Sequence, residues 1–201
     1  MEQTQLSQSI VEFKVDEALD VLRKNNGLSI PSVPLRCEVF VHPLQDWGCA
    51  AKFDYKEANG LFLYTLTFDI SKIMEHARKN KLPLHSLLDF IVGEEAGHLI
   101  HQSINPALFY WHNKSIPGLY PDIAFMMEVI GHYAGLVYCN REDNGEIFGL
   151  GMAPNYDEII REAYTTADKI YEHYGIAKLP ELLQIKGITE FYRRIRRLNI
   201  K

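Results

Sequence analysis

The chain has 201 residues, of which 47% are hydrophobic and 23% are charged, and its formal net charge is −5. Its length suffices for one well-buried core, and no linker-like stretch divides it, so we expect a single domain over 1–201. The acidic balance argues against nucleic acid as a partner, because phosphate binding needs a basic surface. No apolar run approaches the ~20 residues that cross a bilayer, and the N-terminus lacks the order of a secretory signal. We therefore expect no membrane association and a cytoplasmic location, in which the three cysteines are free thiols.

The first part of the chain combines one helix with strands. Apolar residues at helical spacing predict an N-terminal helix within 1–27, ended by Gly27. Runs rich in β-branched and aromatic residues then predict strands within 36–70. The three runs lie at 36–41, 49–55 and 61–70. Asn59-Gly60 is a strong hairpin signal between the last two, so we expect a small antiparallel sheet and an α+β fold.

Helical patterns dominate the rest of the sequence. They predict a short helix at 71–80, two buried helices within 83–138, and further helices within 155–201. The first buried helix should begin at Pro83, which suits a first-turn position. It should end before Pro106, since the residue that precedes a proline disfavours helical conformation.

The first buried helix carries four titratable side chains within two turns of apolar sequence. They are Glu94, Glu95, His98 and His101. At about 100° per residue, the first, third and fourth of them share a narrow arc with core-facing apolar residues, and Glu95 lies at its margin. An unpaired carboxylate is costly to bury, so these acids need a partner. A metal ion is the simplest such partner.

The second buried helix, predicted over 122–138, has Glu128 and His132 four residues apart and therefore on one face. Two glycines of each helix flank these polar groups: Gly93, Gly97, Gly131 and Gly135. Glycine inside a helix costs about 1 kcal/mol relative to alanine, so this pattern indicates close helix packing. We expect four side chains to meet between the helices as metal ligands, namely Glu94, His98, Glu128 and His132.

The string F-I-V-G-E-E-A-G-H-L-I-H resembles the active-site helix of zincin metallopeptidases, whose H-E-x-x-H motif supplies two zinc ligands and a general base. Glu95 matches the base and His98 the second His, while Glu94 stands in place of the first. The order of strands, helix and second acidic helix over 61–138 is similar to the gluzincin branch. The resemblance implies a zincin-like fold, zinc as the cofactor and Glu128 as a further ligand.

The resemblance leaves two roles open for His132. In the gluzincin branch an acidic residue at this position hydrogen-bonds the first zinc-binding His, so His132 and Glu94 would form the same pair with its chemistry reversed. If His132 is a ligand instead, two carboxylates and two imidazoles would close the coordination sphere into a structural site. His101 corresponds to the third His of the longer zincin pattern. Because Glu128 fills that role, we expect His101 to hydrogen-bond a loop.

The leading hypothesis is a metal-dependent, peptidase-type hydrolase with a peptide or protein substrate. A less positive centre than two His and one Glu provide should activate water less. An inactive zincin-like module that binds peptides by strand addition is therefore the alternative. The Glu95-x-x-His98 spacing also matches di-iron helical bundles, and a metal-free hydrogen-bond network would need no cofactor. The aromatic connector around Trp111 and His112 would either line a substrate cleft or pack as a loop.

Overall fold

The computed structural model describes residues 8–24, 36–44, 50–58, 61–106, 120–140 and 158–198. The elements in chain order are α1 Gln8–Lys24, β1 Arg36–Val41, β2 Ala51–Ala58, β3 Leu61–Phe68, α2 Ile70–Asn80, α3 Leu84–Ile104, α4 Tyr120–Cys139, α5 Glu158–Tyr174, a 3-10 helix Gly175–Lys178, α6 Leu179–Leu183 and α7 Ile188–Arg197. The fold is α+β and mostly helical, with one small sheet. Within the described part of the chain, no helix combines the length and apolarity needed to span a bilayer.

The sheet has β3 at its centre, in the order β1-β3-β2. β2 and β3 are antiparallel, and Ala58 lies opposite Leu61, which confirms the expected two-residue hairpin. The prediction of a wholly antiparallel sheet is wrong, because β1 runs parallel to β3. β3 is inserted between the two earlier strands, and its alternate residues Tyr64, Leu66 and Phe68 are buried. The last of the three strands in chain order, β3, is therefore the middle strand of the sheet.

α2 begins after Asp69, which caps it. The Asp69 side chain accepts a hydrogen bond from the Lys72 backbone N–H at 3.1 Å and another from the Leu44 N–H at 3.0 Å. The first bond satisfies a donor that the helix leaves free at its start. The second ties the chain after β1 to the start of α2, so one carboxylate joins the sheet to the helical half.

α3 lies at the centre of the molecule, and every residue from 86 to 102 in it is buried. It begins after Pro83 and ends at Ile104, as the prolines predicted. α4 packs antiparallel along it, at a separation that the glycines set. A Cβ on Gly97 would lie 2.4 Å from the Ala134 Cβ, and one on Gly93 would lie 2.7 Å from the Tyr138 Cβ. The predicted close packing of these two helices is confirmed.

The C-terminal helices complete the core on the other side of α4. α5 packs against α4, with Ala163, Ala167 and Ile170 buried. The sequence patterns did not predict the 3-10 helix and α6 as separate elements. α6 buries three leucines: Leu179, Leu182 and Leu183. α7 then buries Phe191 and leaves most of its arginines facing outward.

Candidate metal centre

Three of the four expected ligands come together between α3 and α4. Glu94, His98 and Glu128 each offer one ligand atom, and these atoms all lie within 4.8 Å of one another. Glu94 and His98 are each only 8% exposed, whereas Glu128 is partly exposed. Two carboxylates and one imidazole form a donor set that suits zinc, manganese or ferrous iron. The residues therefore fit a divalent cation.

A glycine of α4 makes room for the His98 ring. A Cβ on Gly131 would lie 2.4 Å from His98 Nε2 and 2.5 Å from Cε1, closer than carbon atoms can approach. The imidazole thus occupies the space that a side chain at this position of α4 would fill. This contact explains why a helix that packs so tightly contains a glycine three residues after Glu128.

Burial raises the pKa of each carboxyl group in the cluster, and repulsion from neighbouring carboxylates adds to this at Glu94 and Glu95. Burial, followed by the charges of Glu128 and Glu95, raises the pKa of Glu94 well above its ordinary value. Burial raises the pKa of Glu95 to about 8, with smaller contributions from Glu128 and Asp54. Burial also raises the pKa of Glu128 to about 7. A cation between these groups would reverse the effect, because a nearby positive charge favours the ionised form.

His132 is fully buried but lies outside the group of three. Its Nε2 donates to Asp168 Oδ1 at 2.9 Å, and its Nδ1 has no hydrogen-bond partner in the described ranges of the chain. No direct hydrogen bond joins Glu94 and His132 in the described part of the chain, because His132 bonds Asp168 of α5 instead. The reversed pair, one of the two roles left open for His132, is therefore not formed there.

His101 does not point to the cluster. Its Nε2 donates to the Ile185 carbonyl oxygen at 3.0 Å, in the segment between α6 and α7. The expected hydrogen bond between His101 and a loop is confirmed. Trp111 and His112, which we expected either to line a cleft or to pack as a loop, lie outside the described residues.

Sequence reasoning missed the two α5 residues beside the site, Tyr164 and Asp168. The signal that drew attention to Glu94 is also present here, because both residues fall in the apolar stripe of α5 with Ala167 and Tyr171 at helical spacing. Asp168 is only 8% exposed. An acidic residue in the core-facing stripe of an amphipathic helix indicates a buried polar partner, which is here His132.

No protein-family model matches the chain, and no curated protein and no solved structure is significantly similar to it. The candidate metal centre therefore rests on the residues and their geometry. Two helices supply its side chains: α3 contributes an acid and an imidazole, and α4 a second acid. α5 packs against α4 and contributes Asp168, which holds the neighbouring His132.

Proposed function

We propose that this chain is a zincin-like, metal-dependent hydrolase that acts on peptides. Glu94, His98 and Glu128 hold a divalent cation, for which zinc is our first choice, and Glu95 serves as the general base. One observation carries the proposal: the ligand atoms of three residues from two different helices lie within 4.8 Å of one another in the protein interior.

A metal-free hydrogen-bond network explains the cluster less well. Such a network would satisfy its buried polar atoms, because an unpaired one costs about 1–3 kcal/mol. Here Glu94 Oε1 and Glu95 Oε2 are buried and have no hydrogen-bond partner among the described residues. Raised carboxyl pKa values and carboxylate oxygens without a hydrogen-bond donor are typical of residues that bind a cation, because a cation would stabilise their ionised forms.

Glu95 is the residue best placed to move a proton. It follows the ligand Glu94 in α3 and is buried beside the cluster, at the position that matches the general base of the zincin motif. In hydrolysis its carboxylate would take a proton from the attacking water and deliver it to the leaving amide nitrogen. A bound divalent cation would supply polarisation of the substrate carbonyl.

β2 supports a peptide as the substrate. Among the described strands it pairs with β3 alone, so a peptide strand added at its other edge would extend the described sheet. Asp54 of β2 lies close enough to raise the pKa of Glu95. An extended peptide that pairs with this edge would therefore pass near the proposed base.

A catalytically inactive metal-binding module is the second candidate, and the donor set favours it. Two carboxylates and one imidazole neutralise a divalent cation, whereas two imidazoles and one carboxylate leave one positive charge. A neutral centre stabilises developing negative charge on a substrate less well. The two candidates share the metal centre and differ only in turnover.

Metal analysis tests the centre. We expect wild type purified without chelator to contain about one equivalent of metal per chain, and Glu94→Ala and Glu128→Ala to lose most of it. Equal metal content in all three proteins would contradict the assignment of these ligands.

Hydrolysis of a peptide library by the zinc-loaded protein tests turnover. We expect Glu95→Gln to keep its metal and to lose at least about a hundredfold in rate, the usual contribution of a general base. Equal cleavage by wild type and variant would show that Glu95 is not the base. Metal binding without any cleavage would favour the inactive module.

A further inference from the structure

We propose that α7 presents a basic face that binds an acidic segment of a partner protein. The basic face consists of Arg193, Arg196 and Arg197. These residues lie outside the candidate metal centre, so this surface and the proposed function can fail independently of each other.

The three arginines share one side of α7. They stand at positions i, i+3 and i+4, and at about 100° per residue they fall within an arc of about 100°. All three are exposed, whereas Phe191 and Leu198 on the opposite side of the helix are buried. The apolar side of α7 therefore packs in the core, and the basic face is directed to solvent.

Among the described residues, no acid forms an ion pair with the basic face. Glu190, the one acid of α7, is already engaged, because its Oε2 accepts a hydrogen bond from the Lys186 backbone N–H at 3.0 Å and its Oε1 pairs with Arg194. The helix dipole stabilises basic residues only within the last turn. Arg193 precedes that turn, so the dipole does not explain why a basic residue stands there.

The helix that carries the basic face is held firmly on the core. Tyr192 donates its hydroxyl to Asp122 Oδ1 of α4 at 2.6 Å, and Tyr174 of α5 donates to the Leu198 carbonyl oxygen at 2.8 Å. Phe191 between them is fully buried. A partner therefore meets a backbone that is already ordered, which reduces the entropy that binding costs.

Arg194 of the same helix shows how this surface receives a carboxylate. Its Nε donates to Glu190 Oε1 at 3.1 Å, and its Nη1 lies 3.9 Å from Glu181 Oε1. The planar guanidinium fork matches the geometry of a carboxylate. Side chains one helical turn apart are separated by about 5–6 Å, and alternate residues of an extended chain by about 7 Å. A short run of Glu or Asp can thus meet all three free arginines.

An anionic membrane or a nucleic acid fits the basic face less well. The apolar side of α7 is used in the core and inserts nothing into a bilayer, and stable attachment to a membrane needs a second signal besides one weak one. Nucleic acid requires many phosphate contacts, and the net charge of −5 repels such a polyanion. A short acidic segment needs only the local positive charge of α7.

Binding of a fluorescein-labelled oligoglutamate peptide, measured by fluorescence anisotropy, tests this surface. We expect wild type to bind the peptide, and to bind it more weakly as ionic strength rises, because salt screens exposed charges. The triple variant Arg193→Gln/Arg196→Gln/Arg197→Gln should bind at least about tenfold more weakly, since each exposed ion pair contributes up to about fivefold. A wild type that does not bind, or a triple variant with wild-type affinity, would overturn the proposal.

A second triple variant controls for the loss of positive charge. Arg78→Gln/Lys79→Gln/Lys169→Gln removes three exposed basic residues from α2 and α5. We expect this variant to bind the peptide as wild type does. An equal loss of affinity in both triple variants would show that net charge, and not α7, attracts the peptide.

Two further probes test the class of partner. Vesicles that contain phosphatidylserine and a single-stranded oligonucleotide are compared with oligoglutamate at the same ionic strength. Tighter binding of wild type to either probe than to oligoglutamate would overturn the choice of an acidic protein segment. Metal content should be the same in wild type and in the α7 variant, because the basic face contributes no proposed ligand.

Discussion

At the scale of single residues, Gly131 determines where the His98 imidazole can lie. In Gly131→Ala the new Cβ would meet His98 Nε2 at 2.4 Å, so the ring has to move. Metal ligands tolerate errors of only about 0.2 Å in distance. We therefore expect zinc affinity to fall at least about tenfold. The unfolding free energy should change little, because the cost of moving the His98 ring is offset by the helix propensity of alanine, which exceeds that of glycine by up to about 1 kcal/mol. Zinc competition and chemical denaturation measure the two quantities. Unchanged zinc affinity would contradict the contact.

His101 gives a prediction about pH. Burial lowers its pKa from 6.5 to about 4, so the imidazole is neutral when folded at pH 7. The unfolded chain binds a proton below pH 6.5 and the folded chain does not, so this group costs about 3 kcal/mol of stability between pH 6.5 and 4. The His101→Leu variant has no group that titrates at this position, so it does not lose stability in this way between pH 6.5 and 4. We expect wild type to be more stable by about 1 kcal/mol at pH 7, through the bond to Ile185, and less stable than the variant at pH 4.

Denaturation of both proteins at pH 7, 5.5 and 4 checks the sign of this effect. A stability difference that stays constant over this range would show that His101 does not titrate as a buried neutral group. Zinc affinity at pH 7 should be equal in the two proteins, because His101 bonds a backbone carbonyl and is not part of the ligand group.

Residue patterns in the sequence predicted that Glu94, His98 and Glu128 lie together, but they placed His132 in the same group and did not predict the surroundings. The acids and imidazoles of α3 and α4 could be found because they interrupt apolar stripes. The partner of His132 could not be chosen by that rule, since spacing within a helix does not tell which neighbouring helix lies against it. The packing of α5 against α4 was needed to identify Asp168 as its hydrogen-bond partner and Tyr164 as the ring that contacts it.

At the scale of elements, four glycines allow α3 and α4 to approach closely. In Gly97→Ala two Cβ atoms would be 2.4 Å apart, and neither can move without its backbone. The helices must separate, and overpacking of this kind typically costs about 1–3 kcal/mol. We expect a net loss of about 2 kcal/mol in unfolding free energy.

Gly187→Ala is the matched control for this substitution. A Cβ at Gly187 would meet nothing within 4 Å, and its φ of 176° is extended backbone that alanine adopts. We expect its stability to lie within about 0.5 kcal/mol of wild type, as is usual for surface changes. Equal destabilisation by both substitutions would show that the close approach at Gly97 is not what matters.

The sheet shows which element-scale features local sequence can predict. Asn59-Gly60 predicted the β2–β3 hairpin because a two-residue turn is a local signal. The parallel pairing of β1 with β3 depends on which strand takes the centre of the sheet. That choice is a long-range one, and among the described side chains β3 buries more than β1 and β2 do. Hydrophobic runs alone do not rank the strands in this way.

At the scale of the whole molecule, folding brings carboxyl groups from two helices into one interior site against their mutual repulsion. The packing of α3 on α4 supplies the free energy that holds them there, and a cation would turn the repulsion into attraction. The hydrolase proposal adds a peptide paired with β2, whose Asp54 lies close enough to Glu95 to affect its pKa. Both the stability of the fold and the chemistry of the site would therefore change when a cation binds between Glu94, His98 and Glu128.

An anomalous-scattering map from crystals grown with zinc, recorded at the zinc absorption edge, tests this centre most directly. We predict one strong peak bounded by Glu94, His98 and Glu128, about 2.0–2.2 Å from a ligand atom of each. A map without a peak between these three side chains at saturating zinc, or with the zinc bound elsewhere on the chain, would contradict the proposed metal centre.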